Sequence, residues 1–164
     1  MISSILDIGR TEGAQFEQPK NIDLVEFIKY KTNDYNMLAS KKSITIKFSS
    51  NVSSFQIIIQ ETLFNQILQN FVQNAIKFTP NGKTIKIKLK KIDDKVILNV
   101  IDEGIGIDEN IDVFAPFKKV GKENGVGLGL YLAKIASDAL NAKISIKNRE
   151  DGKTGAIAKL ELTL

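Results

Sequence analysis

Asn70 and Asn74 stand four residues apart in a stretch of helical spacing, so both amides project from one face. Amide oxygens are hard ligands, and Mg²⁺ keeps most of its waters and accepts few protein ligands. The pair therefore suits a metal held mainly by something else; two solvated amides on a polar face is the plainer reading. Lys77 and Phe78 follow one turn after Asn74. A second cluster, Asp102-Glu103-Gly104-Ile105-Gly106-Ile107, comes directly after an apolar stretch. A carboxylate there can accept from an amino group while bare glycine backbone approaches a flat ring. An ordinary turn carrying an exposed acid is the alternative. In a third cluster, Gly125-Val126-Gly127-Leu128-Gly129-Leu130 opens a helix. Glycine backbone feeding a helix N-terminus offers unpaired N–H groups and the positive dipole end to an anion. Close packing of that helix at its glycines is the competing reading. Neither G-x-x-x-x-G-K-[ST] nor a strand-borne dinucleotide fingerprint is present. Between the two glycine clusters lies Phe114-Ala115-Pro116-Phe117-Lys118-Lys119, with two aromatic anchors and two lysines in a polar loop.

These residues need elements to hold them. Apolar residues at Phe64, Ile67, Leu68, Phe71, Val72, Ala75 and Ile76 predict a strong helix over Glu61–Phe78, stopped by Thr79-Pro80-Asn81-Gly82. Ile85, Ile87 and Leu89 alternate with lysines and predict a strand with one buried and one solvated face. A turn at Asp93-Asp94 leads to an apolar strand over 96–102. Residues 128–140 read as helix, and 143–147 and 156–164 as closing strands around Gly152 and Gly155. Upstream, Asp23-x-x-Glu26 resembles a capping box and opens an amphipathic helix. Residues 44–48 alternate as a strand, and 55–59 read as a second, more buried one. The stretch 14–21 is polar, contains Pro19 and reads as a linker; residues 1–12 have helical spacing but too little length to stand alone. The expected fold class is α+β: a two-layer α/β sandwich whose mixed, mainly antiparallel sheet of about five strands packs on about three helices.

Composition narrows the function. The chain has 164 residues, 43% hydrophobic and 26% charged, with net charge +4, which suits one globular domain and excludes disorder. It has no histidine and no cysteine, so imidazole bases, thiolate nucleophiles and ordinary zinc sites are excluded. The positive charge is lysine except for Arg10 and Arg149, and bidentate base reading is therefore scarce. Nucleic acid is not the expected partner, and no apolar run is long enough to span a membrane. The chain reads as cytoplasmic, with no direct membrane contact.

Order and spacing add what no single cluster supplies. "NFVQNAIKFTPNG", "DEGIGI", "FAPF" and "GVGLGL" occur in that order. They resemble the N box, first glycine box, F box and second glycine box of the catalytic ATP-binding domain of sensor histidine kinases, within the wider gyrase, chaperone and kinase ATPase superfamily. The likeness covers about 21–164. "ISSILDIGRTEG" is similar to the end of the dimerisation helix that precedes such domains. The resemblance thus implies residues 1–18 as a remnant of that helix with its linker, and 19–164 as the catalytic domain.

It further implies ATP and Mg²⁺ as ligands. Asp102 takes the adenine amino group, in a pocket shaped by Gly104, Gly106 and Ile107. Asn74 binds the metal with Asn70 beside it, and Lys77 reaches toward phosphate. Phe78 and Phe117 border the nucleotide, with Leu128 beside the phosphate loop. Gly125, Gly127 and Gly129 present backbone to the phosphates, with Lys118, Lys119 or Lys122 as the loop cation. Ala156 stands where the family commonly carries a threonine, with Thr154 the nearest substitute. The implied activity is transfer of the γ-phosphoryl to a histidine on a dimerisation domain of the same parent protein, with a response regulator downstream. The superfamily's hydrolysing members and related serine kinases carry a glutamate where this chain has Asn70; an amide cannot take a proton, which favours histidine phosphorylation. A non-catalytic nucleotide-binding module is the rival from another class.

Overall fold

The computed structural model describes residues 8–11, 13, 14, 16–117 and 128–164. After a helical piece at 8–11 and 13–14, the chain runs β1 (Lys20–Asp23), α1 (Leu24–Ala39), a short 3-10 turn, β2 (Thr45–Ser50), β3 (Gln56–Ile59) and α2 (Glu61–Phe78). It continues through β4 (Thr84–Ile92), β5 (Lys95–Ile101), α3 (Gly129–Ala139), β6 (Lys143–Asn148) and β7 (Ala156–Thr163). Strands β2-β4-β5-β7-β6 form one sheet, parallel between β2 and β4 and antiparallel elsewhere. The expected α+β sandwich is what the chain forms.

The core lies between this sheet and the helices. Ile85, Ile87 and Leu89 of β4, Leu98 of β5 and Leu160 of β7 all face it and are essentially inaccessible. From the other side α2 contributes Leu63, Phe64, Ile67, Leu68, Phe71 and Val72, and α3 packs alongside through Ala133 and Ala136. Burying each of the large side chains is worth about 1.5–3 kcal/mol, so α2 is fixed against the sheet, and with it the amides on its other flank. Helix α1 starts where Asp23 Oδ1 accepts from the N–H groups of Val25 (3.0 Å) and Glu26 (3.2 Å). Glu26 does not complete a capping box; its carboxylate pairs with Lys29 instead.

Two expectations fail near the N-terminus. Part of the 14–21 stretch read as linker is strand: β1 pairs antiparallel with β3, Asn21 opposite Ile58 and Ile22 opposite Ile57. Lys-Asn-Ile-Asp has a single apolar residue, so only the partner strand reveals it. Strand β3 in turn is not the more buried one, since Ile58 is 74% exposed. It belongs to a separate two-stranded ladder, and its unbroken apolar run has a core on one side alone.

Candidate functional site

Asp102 follows β5 at the end of the sheet, and β7 holds it. Its N–H donates to the Ala156 carbonyl at 3.0 Å. Its Oδ1 accepts from Gly104 N–H at 2.9 Å and Ala156 N–H at 3.0 Å. No hydrogen bond among the described residues falls on Oδ2, which remains an acceptor for something else. The residue is only 7% exposed, and burial pushes its carboxyl above the usual range. The two backbone donors and the nearby Arg149 charge oppose that rise without cancelling it. Thr154 is exposed, and the bond to Asp102 at the start of β7 comes from the backbone N–H of Ala156.

Glycine is required at three places around this carboxylate. A Cβ on Gly104 would sit 2.7 Å from the Phe78 carbonyl oxygen, so bare backbone lets the Asp102 loop lie against the end of α2. Gly106 has φ +79, and a Cβ there would come within 2.5 Å of Asn148 Oδ1. Gly155 has φ +133, and its Cβ would run into the Asp102 carbonyl.

Sequence reading missed two residues that hold the loop. Asn148 Oδ1 accepts from Ile107 N–H at 2.8 Å and its Nδ2 donates to Ile107 O at 2.9 Å, extending the pairing of β6 into the loop. Its own N–H donates to Glu109 Oε1 at 2.9 Å. Arg149 donates from Nη1 to the Asp102 carbonyl at 3.1 Å while its fork grips Asp151, whose carboxyl is drawn down to about 2 by that pairing. An Asn-Arg pair at a strand end carries no signal of such a role before folding.

The other half of the site lies along α2. Asn70 is buried, donates from Nδ2 to Gln66 O at 2.8 Å, and turns Oδ1 toward the first residue of α3. A Cβ on Gly129 would sit 3.2 Å from that oxygen. Leu128, the N-cap of α3, is buried. Asn74, half-buried, lies one turn further along α2. The Lys77 ammonium lies 5.5 Å from the centre of the Phe78 ring. Phe117 is 64% exposed with φ 62, apart from the core. Lys118, Lys119, Lys122, Gly125 and Gly127 lie outside the described residues.

The structure thus brings together most of the described candidates in a line of neighbours: Gly129 against Asn70, Asn70 to Asn74 to Phe78 along one helix, Phe78 against Gly104, and Gly104 against Asp102. Eight residues of helix separate Asn70 from Phe78, a rise of about 12 Å. No cluster of three or more acidic side chains able to hold a metal occurs among the described residues.

Residues 59–164 match the family described as histidine kinase-, DNA gyrase B-, and HSP90-like ATPase. The chain belongs to this ATPase family. Among its relatives, the sensor protein KdpD of Clostridium acetobutylicum is 31% identical over 171 residues, covering 99% of this chain and 18% of KdpD. The chain therefore spans about a fifth of such relatives' length. The catalytic domain of histidine kinase ThkA is 30% identical with TM-score 0.79, over 89% of this chain and 95% of that one. ThkA in complex with its response regulator TrrA matches at 25% identity and TM-score 0.77, over 99% of this chain and 48% of that one. Full-length ShkA in complex with AMPPNP shares the fold, with TM-score 0.85 and 24% identity over 98% of this chain and 34% of ShkA. The chain is an ATPase domain of the histidine kinase type. No helix among the described residues is long and apolar enough to cross a membrane.

Proposed function

We propose that this ATPase domain is the catalytic part of a sensor histidine kinase, binding ATP with Mg²⁺ and passing the γ-phosphoryl to a histidine on a dimerisation domain outside residues 19–164. The observation that carries the reading is the line from Gly129 to Asp102. It pairs a buried carboxylate with a spare oxygen at one end and two amides beside a helix N-terminus at the other. The helix joining the two ends rises about 12 Å between Asn70 and Phe78, the scale of an extended nucleoside triphosphate. Asp102 Oδ2 accepts from the adenine amino group; guanine presents a carbonyl there and is refused. Gly104, Gly106 and Ile107 form the floor against the ring, and Phe78 and Phe117 border it.

The donor set fits Mg²⁺ as a phosphate-bound ion. Asn74 and Asn70 offer amide oxygens and no carboxylate cage occurs among the described residues, so the triphosphate supplies most of the ligands. When bound, the metal neutralises charge between the β and γ phosphates. Lys77 reaches toward the triphosphate, the start of α3 at Leu128 and Gly129 offers it N–H groups, and Gly125 and Gly127 are assigned to the same phosphate loop. Lys118 and Lys122 add cations. In the transfer the γ-phosphorus leaves the bridging oxygen of ADP and bonds to a neutral imidazole nitrogen. The chain's part is to hold donor and acceptor in line, because Asn70 cannot act as a base.

We further read residues 1–18 as the tail of the dimerisation helix and its linker, a response regulator as the downstream partner, and the cytoplasm as the compartment. ThkA bound to a response regulator supports the partner, and AMPPNP on ShkA the nucleotide. The test supplies the parent's dimerisation domain with labelled ATP. The expected product is acid-labile and base-stable. Asn74→Ala should reduce transfer more than it reduces ATP binding, while Asp102→Asn should reduce both together. Stable label on serine or threonine, or normal transfer by Asn74→Ala, would overturn the assignment.

A further inference from the structure

The helices cover one face of the five-stranded sheet. On the other face no described side chain is fully buried. The strand register shows what that open face carries. One cross-strand row reads Lys47, Lys86, Ile101, Ile157, Lys147. The next reads Ser49, Lys88, Asn99, Lys159, Ser145, and a third Lys90, Ile97, Glu161, Lys143. Lys95 adds to the third by pairing with Glu161 at 2.9 Å. Every charged side chain of these rows is therefore lysine except one glutamate, an excess larger than the +4 of the whole chain.

Two features separate this face from a merely solvated one. Lys47 and Lys86 are direct neighbours across β2 and β4, an arrangement of like charges that costs stability in a sheet. And the charge is not uniform: Ile101 and Ile157 form a half-buried apolar pair across β5 and β7, with Lys86 and Lys147 at its two sides, while Ile97 stands apart beyond Asn99 and Lys159. A hydrophobic centre within a charged rim is the anatomy of a protein interface. A concavity of about 380 Å³ opens within it, lined by Lys86, Lys88, Ile101 and Ile157, with Glu150 and the Arg149–Asp151 pair at one end.

We propose that this face docks an acidic protein surface with an apolar centre. Other polyanions fit it less well. Five strands twisting about 20–25° each make the face a saddle, so its outer lysines do not share the plane a lipid surface requires. The rows contain neither arginine forks for base edges nor aromatic rings for stacking unpaired bases. Steering by the lysines sets the rate and partner choice, and the Ile101–Ile157 pair supplies the dry contact.

The experiment uses a polyglutamate peptide, followed by amide chemical shifts of the labelled chain. Shifts should concentrate on β4, β5, β7 and β6. Lys86→Glu, Lys88→Glu and Lys90→Glu together should weaken binding about tenfold or more. The same number of reversals on the helical side, at Lys29, Lys31 and Lys41, should weaken it far less. Lys143→Gln with Lys147→Gln should give a smaller loss of the same kind, and ATP binding by every variant reports that the fold is intact. Equal losses in the two triple variants, or shifts spread outside the face, would overturn the proposal. So would duplex DNA or phosphatidylserine vesicles binding more tightly than the peptide and losing that binding in the Lys86/Lys88/Lys90 variant.

Discussion

The two ends of the candidate nucleotide site are built by different means. At Asp102 the carboxylate is held by backbone: two N–H donors on one oxygen, a ladder bond to Ala156, and a guanidinium on its carbonyl. At Asn70 and Asn74 there is no such cage. Position comes from a helix locked to the core, and among the described residues the one side-chain bond on either amide is Asn70 to its own helix at Gln66. A base of fixed shape can be met by groups fixed in advance. A triphosphate brings charge and metal with it, so its end needs helix ends and hard oxygens at the right distance.

That contrast predicts coupled effects at the Asp102 end and separable ones along α2. The largest break should come from Gly155→Ala. The new methyl meets the Asp102 carbonyl, a backbone atom that moves only if the β7 start moves, and φ +133 is itself strained for alanine. A loss of about 2–4 kcal/mol of stability should follow, with ATP binding abolished, as measured by denaturant unfolding and calorimetry. Unchanged stability would show the Asp102 cage to be looser than the structure describes.

Asp102→Asn should divide the two properties. The amide oxygen can keep both backbone bonds, while Nδ2 presents a donor where the proposed adenine amino group also donates. ATP affinity should fall about tenfold or more, roughly 1.4 kcal/mol, without a lower melting temperature. Next in size is Asn148→Ala. It frees both polar groups of Ile107 at a half-exposed site, so about 1 kcal/mol of stability and a few-fold loss of ATP affinity are expected. Asn70→Ala, by contrast, should leave adenosine binding untouched, which would place the boundary between the two halves.

Legibility in the sequence follows the same division. Helix Glu61–Phe78 has the ends the sequence predicts, because its apolar residues recur at helical spacing and Pro80 forbids continuation. Strand β4 was equally plain from its lysine alternation. The positions of Asn70, Asn74, Lys77 and Phe78 on α2 were therefore readable from local pattern. Asn148, Arg149 and strand β1 were not, since each acts on a segment far away in the chain: Asn148 on Ile107, Arg149 on Asp102, β1 on β3. Local chemistry shows which groups could bind; long-range pairing decides which groups hold them.

The smallest effect is a pH dependence, and it has opposite signs in two regions. Burial raises the Asp102 carboxyl above its ordinary value of 3.8, so the folded chain binds that proton more readily than the unfolded chain. Its contribution to stability is present in full below 3.8 and is lost as pH rises through the raised value. Asp23 is the reverse. Its bond from the Ser54 hydroxyl, reinforced by the N–H groups at the start of α1, holds its carboxyl below 3.8. Its contribution is present above 3.8 and is lost as pH falls through the lowered value. Replacing each by asparagine and melting the nucleotide-free chain across the acid range separates them. Asp102→Asn should exceed the parent most near neutrality, the gap closing as acid protonates Asp102. Asp23→Asn should fall short of the parent near neutrality and converge with it only in stronger acid. If Asp102 accepts from adenine as proposed, the acid that relieves Asp102 should also weaken ATP binding, and it should do so above the pH at which an ordinary aspartate protonates. Parallel melting curves for Asp102→Asn and the parent at all pH values would mean that the carboxylate is better solvated than its burial implies. The base end would then be held by geometry without the electrostatic cost that distinguishes it from α2.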